Sequence, residues 1–217
     1  LVILLGETCR ALSWAPLGGG LTRASAIVNH GLDADAREAC EQPEPHLRRV
    51  VRALGLPLDA TIALMTGAAV DRPAVCSESF GDLTVTAFTT AGCSNALRVG
   101  DPTTSPSLQP GTINLVVTVS APLGDGALVE AVQIAAEAKA VATLASGAVS
   151  VVSGRRATGT GTDCIVVAAP AAPDPSLYCG KHTKLGELIG RAVLASSGAA
   201  LSAALSRDAA RMPSATS

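Results

Sequence analysis

Trp14, Phe80, Phe88 and Tyr178 are the only aromatic side chains in a 217-residue chain that is 48% hydrophobic. The interior must therefore be assembled from Ala, Val, Leu and Ile. Small branched side chains reach interior density when stacked in regular layers. The length suits one large domain. Charged residues make up only 16% of the chain, well under the usual share of about a quarter, so there is apolar material to spare for a core.

The order of elements narrows the class. Val2 to Leu5, Arg10 to Trp14 and Ala24 to Asn29 read as strands, the last two separated by Gly18, Gly19 and Gly20. Asp33 to Leu56 reads as helical on either side of an interruption at Pro43 and Pro45. Strands are expected over Thr61–Thr66, Ala74–Ser79, Leu83–Thr89, Thr112–Ser120, Val149–Val152 and Cys164–Ala168, and helices over Asp125–Ala145 and Thr183–Arg207. Strands cluster and helices follow without strict βαβ alternation. This predicts an α+β fold, mixed β-sheets layered with helices, in a single domain over residues 1–210, with a frayed tail over 211–217.

Several function classes fall away. The net charge is −2 with dispersed basic residues, and stacking aromatics are scarce, so no nucleic acid partner is expected. Leu1 to Leu5 are apolar but too few for a signal peptide or a spanning helix. A cytoplasmic protein with no membrane partner is the default expectation, and whether it forms a homo-oligomer is left open. The six cysteines, at 9, 40, 76, 93, 164 and 179, contain no C-x-x-C pair. They read as mostly buried thiols rather than a zinc site or disulfide staples. Neither a G-x-S-x-G elbow nor a metal-spaced His cluster occurs, so no metal is expected.

Polar clusters interrupt the apolar chain at element ends. Gly92 to Asp101 offers Asn95, Arg98 and Asp101 within seven residues; Gly111-Thr112-Ile113-Asn114 opens the strongest strand. Thr158 to Asp163 (TGTGTD) combines three hydroxyls, a carboxylate and flexible glycines, a turn able to cradle an anion or a phosphate. Gly180-Lys181-His182-Thr183 precedes the last helix. Each has a structural alternative: Asn95 and Asp101 as turn-formers, Asp163 as the brace of its own loop, His182 as part of a helix N-cap region.

The wording and order of these clusters resemble the adenosylcobinamide amidohydrolase (CbiZ-type) family. The carrying segments are GGGLTRASAIVNHGL at 18–32, NALRVGD at 95–101, GTIN at 111–114, AAEAKAVATL at 135–144, TGTGTDCIVVA at 158–168 and YCGKHTKLGELIGRAV at 178–193. The resemblance implies hydrolysis of the amide joining a corrin propionate to aminopropanol. The products would be adenosylcobyric acid and 1-amino-2-propanol, in corrinoid salvage. The corrinoid would be a small-molecule substrate, with no cofactor. By the same transfer, Asn29, Asn95, Arg98, Asp101, Asn114, Lys139 and Thr160 are expected to bind substrate. Thr112, Asp163, Lys181 and His182 are the catalytic candidates, with His182 or Lys181 as proton donor and Asp163 orienting the cation used. Cys93, Cys164 and Cys179 stand where small or apolar residues are expected, which argues against a cysteine nucleophile. Alternatives are a member acting on a different amide or acyl substrate in specialised metabolism, and a non-catalytic corrinoid binder.

A more distant local resemblance covers 111–123, which is similar to the segment after the self-cleavage site of DmpA-type aminopeptidases. It implies Thr112 as nucleophile and cleavage at Gly111–Thr112. The freed α-amine, titrating at about pH 7.7–8.0, would then act as base. The plain alternative is a strand-start threonine in one continuous chain.

Overall fold

The computed structural model describes residues 1–33, 36–103 and 111–211. The first hairpin is β1 (Val2–Ser13) with β2 (Gly20–Gly31); α1 (Arg37–Glu41) and α2 (Pro43–Ala53) then cross to β3 (Thr61–Thr66). The strands β4 (Ala74–Phe80), β5 (Leu83–Ala91), β6 (Ala96–Leu97) and β7 (Ile113–Val119) follow, then α3 (Asp125–Ser146), β8 (Gly159–Thr160), β9 (Cys164–Pro170) and α4 (Lys184–Arg211). Seven strands form one mixed sheet in the order β3-β2-β1-β9-β7-β5-β4, while β6 and β8 pair separately. This is the expected α+β architecture. The two parallel pairs, β2/β3 and β7/β9, are those whose connections carry helices, because a parallel crossover needs a long return path.

Both faces of the central strands β7 and β9 are buried, as their near-continuous apolar runs require. On one face Leu115, Val117, Ile165 and Val167 pack under α3 and α4, against Leu128, Leu188 and Ile189. Each fully buried Leu or Ile contributes about 1.5–3 kcal/mol. The α4 helix is long and apolar enough to cross a bilayer, and half of its most apolar window is buried inside the molecule. At the other edge Leu47 and Val51 of α2 cover Val28 and Ala63.

Among the described residues no helix covers the opposite face of the central strands. The sheet instead curls until β3 approaches β7, although three strands separate them in the sheet order. Ala11, Ile27, Ile62, Leu64, Val116 and Val166 fill the inside of that curl. Right-handed strand twist drives it, and small alanines at 11, 24 and 168 leave room for it.

Three local expectations change. The two strands foreseen at the N-terminus are one, β1, with an irregular register between Leu4 and Cys9. The interruption in the first helical region falls at Gln42, and Pro43 opens α2 at its first position, where a missing N–H costs nothing. No strand forms over Val149–Val152: the Ser150 hydroxyl accepts from the N–H groups of Val152 at 3.2 Å and Ser153 at 3.3 Å, folding the segment into a turn. Val149 keeps a single bridge to Arg156. Of the expected tail, residues 212–217 lie outside the described residues.

Candidate active site

Strand register builds the site. Asn114 of β7 stands opposite Cys164 of β9 and Leu115 opposite Ile165. Carried two residues back along both parallel chains, that pairing sets Thr112 beside Thr162 and Ile113 beside Asp163. The side chains meet accordingly. Thr112 Oγ1 lies 2.7 Å from Thr162 Oγ1, and the Thr162 hydroxyl also donates to the Gly111 carbonyl at 3.3 Å. With Thr162 so engaged, Thr112 is the donor within the pair. Thr112 is buried. The loop after β5 closes on the peptide before it: Asn95 N lies 2.7 Å from where a Cβ on Gly111 would stand.

Asp163 holds the arrangement. Its Oδ1 accepts from Ile113 N at 3.0 Å, Thr160 N at 3.1 Å and the Thr160 hydroxyl at 2.5 Å. Its Oδ2 forms an ion pair with Lys139 of α3, the two side chains being only 9% and 11% exposed. Such charge-assisted bonds are the strong ones, and a buried pair is costly to break from one side. With both oxygens engaged, the carboxylate positions rather than shuttles protons. Gly159 is required here, because a Cβ would collide with Asp163 Oδ2 and stand 2.6 Å from Lys139 Nζ.

Three amides of the TGTGTD turn are engaged within the protein. Thr160 N goes to Asp163, Gly161 N to the Asn95 carbonyl at 3.2 Å, and Thr162 N to Thr160 Oγ1 at 3.4 Å. These three amides are committed and do not point at an anion; the turn clasps Asp163.

A second polar group lies inside the curl. Asn114 Nδ2 donates to the Met65 carbonyl at 3.1 Å and to Asn29 Oδ1 at 2.8 Å; Asn29 Nδ2 donates to Thr90 Oγ1 at 2.9 Å. A carbonyl can only accept, so Met65 fixes the orientation of the Asn114 amide, and that in turn fixes Asn29. Asn29, Thr90 and Asn114 are all buried, and Asn114 Oδ1 is left without a partner. Asn114 shares its side of β7 with Thr112, two residues away.

The remaining expected residues stand elsewhere. Asp101 Oδ2 accepts from Arg98 N at 3.0 Å and the Ser150 hydroxyl at 2.5 Å, while Arg98 Nη1 donates to the Arg156 carbonyl at 2.9 Å. These bonds tie the loop after β6 to the turn after α3. The Ser150 hydroxyl holds the Asp101 carboxyl below its ordinary range. Lys181 pairs with Glu137 on α3, and His182 is exposed in the turn before α4. Thr183 Oγ1 accepts from Gly186 N at 3.0 Å, the geometry of a helix cap. No described hydrogen bond or ion pair joins Lys181 or His182 to Thr112, Asp163 or Lys139.

Thr162 and Trp14 were missed in the sequence. Thr162 carried a signal, being one of three hydroxyls in TGTGTD, but only the β7/β9 register singles it out. Trp14, just beyond β1, donates its indole N–H to the Asp163 carbonyl at 2.7 Å. Thr90 had no sequence signal at all.

Burial raises the Cys164 and Cys179 thiols to about 12 and also pushes Cys9 up. None of these three offers a thiolate at neutral pH. No disulfide joins any of the six cysteines. Among the described residues no group of three or more His, Cys, Asp or Glu is arranged to hold a metal ion.

Comparison with known proteins fixes the chemistry this scaffold belongs to. A family model described as adenosylcobinamide amidohydrolase (CbiZ) matches residues 1–209. The adenosylcobinamide amidohydrolase of Halobacterium salinarum is 33% identical over 182 residues, covering 80% of this chain and 73% of that one. The adenosylcobinamide amidohydrolase of Methanosarcina mazei is 28% identical over 187 residues, with 82% and 83% covered. The uncharacterized protein MJ1613 of Methanocaldococcus jannaschii is 32% identical over 196 residues, with 80% and 75% covered. Family membership defines a hydrolase acting on an amide bond outside the peptide class. The chain belongs to the adenosylcobinamide amidohydrolase family.

Proposed function

We propose that this protein hydrolyses the aminopropanol amide of adenosylcobinamide, releasing adenosylcobyric acid and 1-amino-2-propanol for corrinoid salvage, with Thr112 as the nucleophile. Family membership over residues 1–209 carries the substrate. The Thr112–Thr162 hydroxyl pair, 2.7 Å apart at the head of β7, carries the choice of nucleophile.

Thr112 Oγ1 attacks the amide carbonyl carbon and the carbon–nitrogen bond breaks, leaving an ester on Thr112. Its proton passes through the Thr162 hydroxyl to the departing amine. Water then cleaves the ester, giving the free acid and restoring the threonine. Asn95, against the Gly111–Thr112 peptide, is the group assigned to the carbonyl oxygen. Asp163, Lys139 and Thr160 position the strand heads. Asn29 and Asn114, buried inside the curl and bonded to each other, brace the strands from which Thr112 is presented. Arg98 and Asp101 are assigned to the outer edge of the substrate. Lys181, paired with Glu137, and His182, exposed in the turn before α4, have no step in the scheme.

Incubation with adenosylcobinamide, followed by mass spectrometry for both products, tests the reaction, and wild type without product overturns it. Binding without turnover would make the protein a corrinoid binder instead. Thr112→Ala is expected to abolish turnover and Thr112→Ser to keep part of it; full activity in Thr112→Ala removes the nucleophile. Denaturing mass spectrometry of fresh protein decides the base. A chain split between Gly111 and Thr112 assigns that role to the freed Thr112 amine, and an intact chain to the Thr162 relay.

A further inference from the structure

Trp14 is the only tryptophan in the chain, and an apolar ring of that size is ordinarily well buried. Here it is 51% exposed. Its one polar atom is already satisfied, because the indole N–H donates to the Asp163 carbonyl at 2.7 Å. Asp163 follows Thr162, the partner of the Thr112 hydroxyl. The ring is thus tethered by its edge to the residue that follows Thr162, with half of its surface open to solvent.

The backbone beneath it is also fixed. Trp14 leaves β1 where Ser13 still pairs with Val166 of β9. The turn that follows folds back tightly, so that a Cβ at Gly19 would stand 3.0 Å from Ala15 N and 3.3 Å from the Trp14 carbonyl carbon. Gly18 and Gly20 on either side both take positive φ, at +71° and +90°. The glycine run therefore has a physical purpose: it locks the turn against the residue that carries the indole. A tethered aromatic on a rigid turn loses little entropy when something stacks on it.

We propose that Trp14 is a substrate-binding residue, a stacking platform for a conjugated ring of the substrate while the scissile amide lies at Thr112. The inference rests on the corrinoid reading above, whose substrate offers two such rings, the corrin macrocycle and the adenine of its upper ligand. A merely structural Trp14 would contribute to stability and leave substrate affinity alone.

The test compares wild type, Trp14→Phe and Trp14→Leu by kinetics and by equilibrium dialysis, with corrin absorbance reporting bound ligand. Adenosylcobinamide and cyanocobinamide, which lacks the adenosyl group, are the two probes. Trp14→Leu is expected to raise KM and Kd for adenosylcobinamide by roughly 5- to 100-fold, the range of base–aromatic stacking, with kcat within about threefold. Trp14→Phe, which keeps a ring but not the N–H, retains most of the affinity. A loss confined to adenosylcobinamide identifies adenine as the stacked ring, and an equal loss for both probes identifies the corrin. In wild type, bound adenosylcobinamide must also protect Trp14 from oxidation by N-bromosuccinimide, read by peptide mass spectrometry. That measurement needs no variant to fold. Unchanged KM and Kd in a folded Trp14→Leu, or oxidation unaffected by ligand, overturns the platform while the corrinoid reading stands. Absence of any saturable binding to wild type overturns both.

Discussion

Replacing Asp163 by Asn keeps the outline of the side chain and removes its charge. One oxygen remains to accept from Ile113 N and Thr160, so the clasp around the strand heads is only partly opened. The larger effect is on Lys139, whose side chain is 11% exposed and whose ion-pair partner here is Asp163. Breaking a buried pair from one side costs about 3–5 kcal/mol, chiefly for the stranded charge. For a chain of this length that is a fall of about 6–20 °C in Tm, at roughly 2–4 °C per kcal/mol. Calorimetry on the single variant gives the loss, and the double variant Lys139→Met, Asp163→Asn shows its origin. With both charges gone, most of the lost stability is expected to return, a coupling within the usual range of about 0.5–3 kcal/mol or slightly above it. Turnover, measured well below both midpoints, stays depressed in the double variant because neither Lys139 nor the carboxylate holds the Thr160–Thr162 turn. A single variant melting within about 2 °C of wild type, or a double variant no more stable than the single, would refute the reasoning.

Gly159→Ala forces a methyl group against Lys139 and Asp163, so thermal melting should show a loss of about 1–3 kcal/mol together with reduced turnover. His182→Gln is expected to leave kcat within about threefold of wild type, since a proton-transfer role is worth about a hundredfold or more; a loss of that larger size would return His182 to the mechanism. Burial lowers the pKa of His30, with His46 and Asp33 as charged neighbours. The unfolded chain then takes up a proton more readily than the folded one, so this contribution is present above the ordinary histidine range and fades as pH falls through it. Melting temperature should therefore drop on acidification below about pH 6.5, and less steeply in His30→Gln.

The elements were largely legible because their signals are local. The β-branched run of β7, the alanine-rich α3 and the prolines in the first turn of α2 each announce themselves within a few residues. Val149–Val152 misled because three valines outweighed one serine, whose hydroxyl claims two backbone N–H groups and makes a turn. The site was only half legible. Asp163, Thr160, Lys139 and Thr112 could be named from their motifs, but which of them meet depends on a pairing between strands fifty residues apart. Curling of the sheet joins Asn29 to Asn114, and no periodicity in either strand reports it. Trp14 looked like an ordinary strand end, because its partner is a main-chain carbonyl 149 residues away.

The β7/β9 register has a bearing on how this family can diverge. The meeting of Thr112 and Thr162 is set by main-chain alignment, so apolar residues along either strand are free to exchange without moving it. Relatives at 28–33% identity have room to vary in that way. Length changes are another matter. Residues added or removed within the α3 crossover are absorbed by its loops, but one inserted between Asp163 and Cys164 would swap the faces of every side chain preceding β9 and part the two hydroxyls. Indels at the two strand heads, and not substitutions along the strands, are the changes this site is least able to survive.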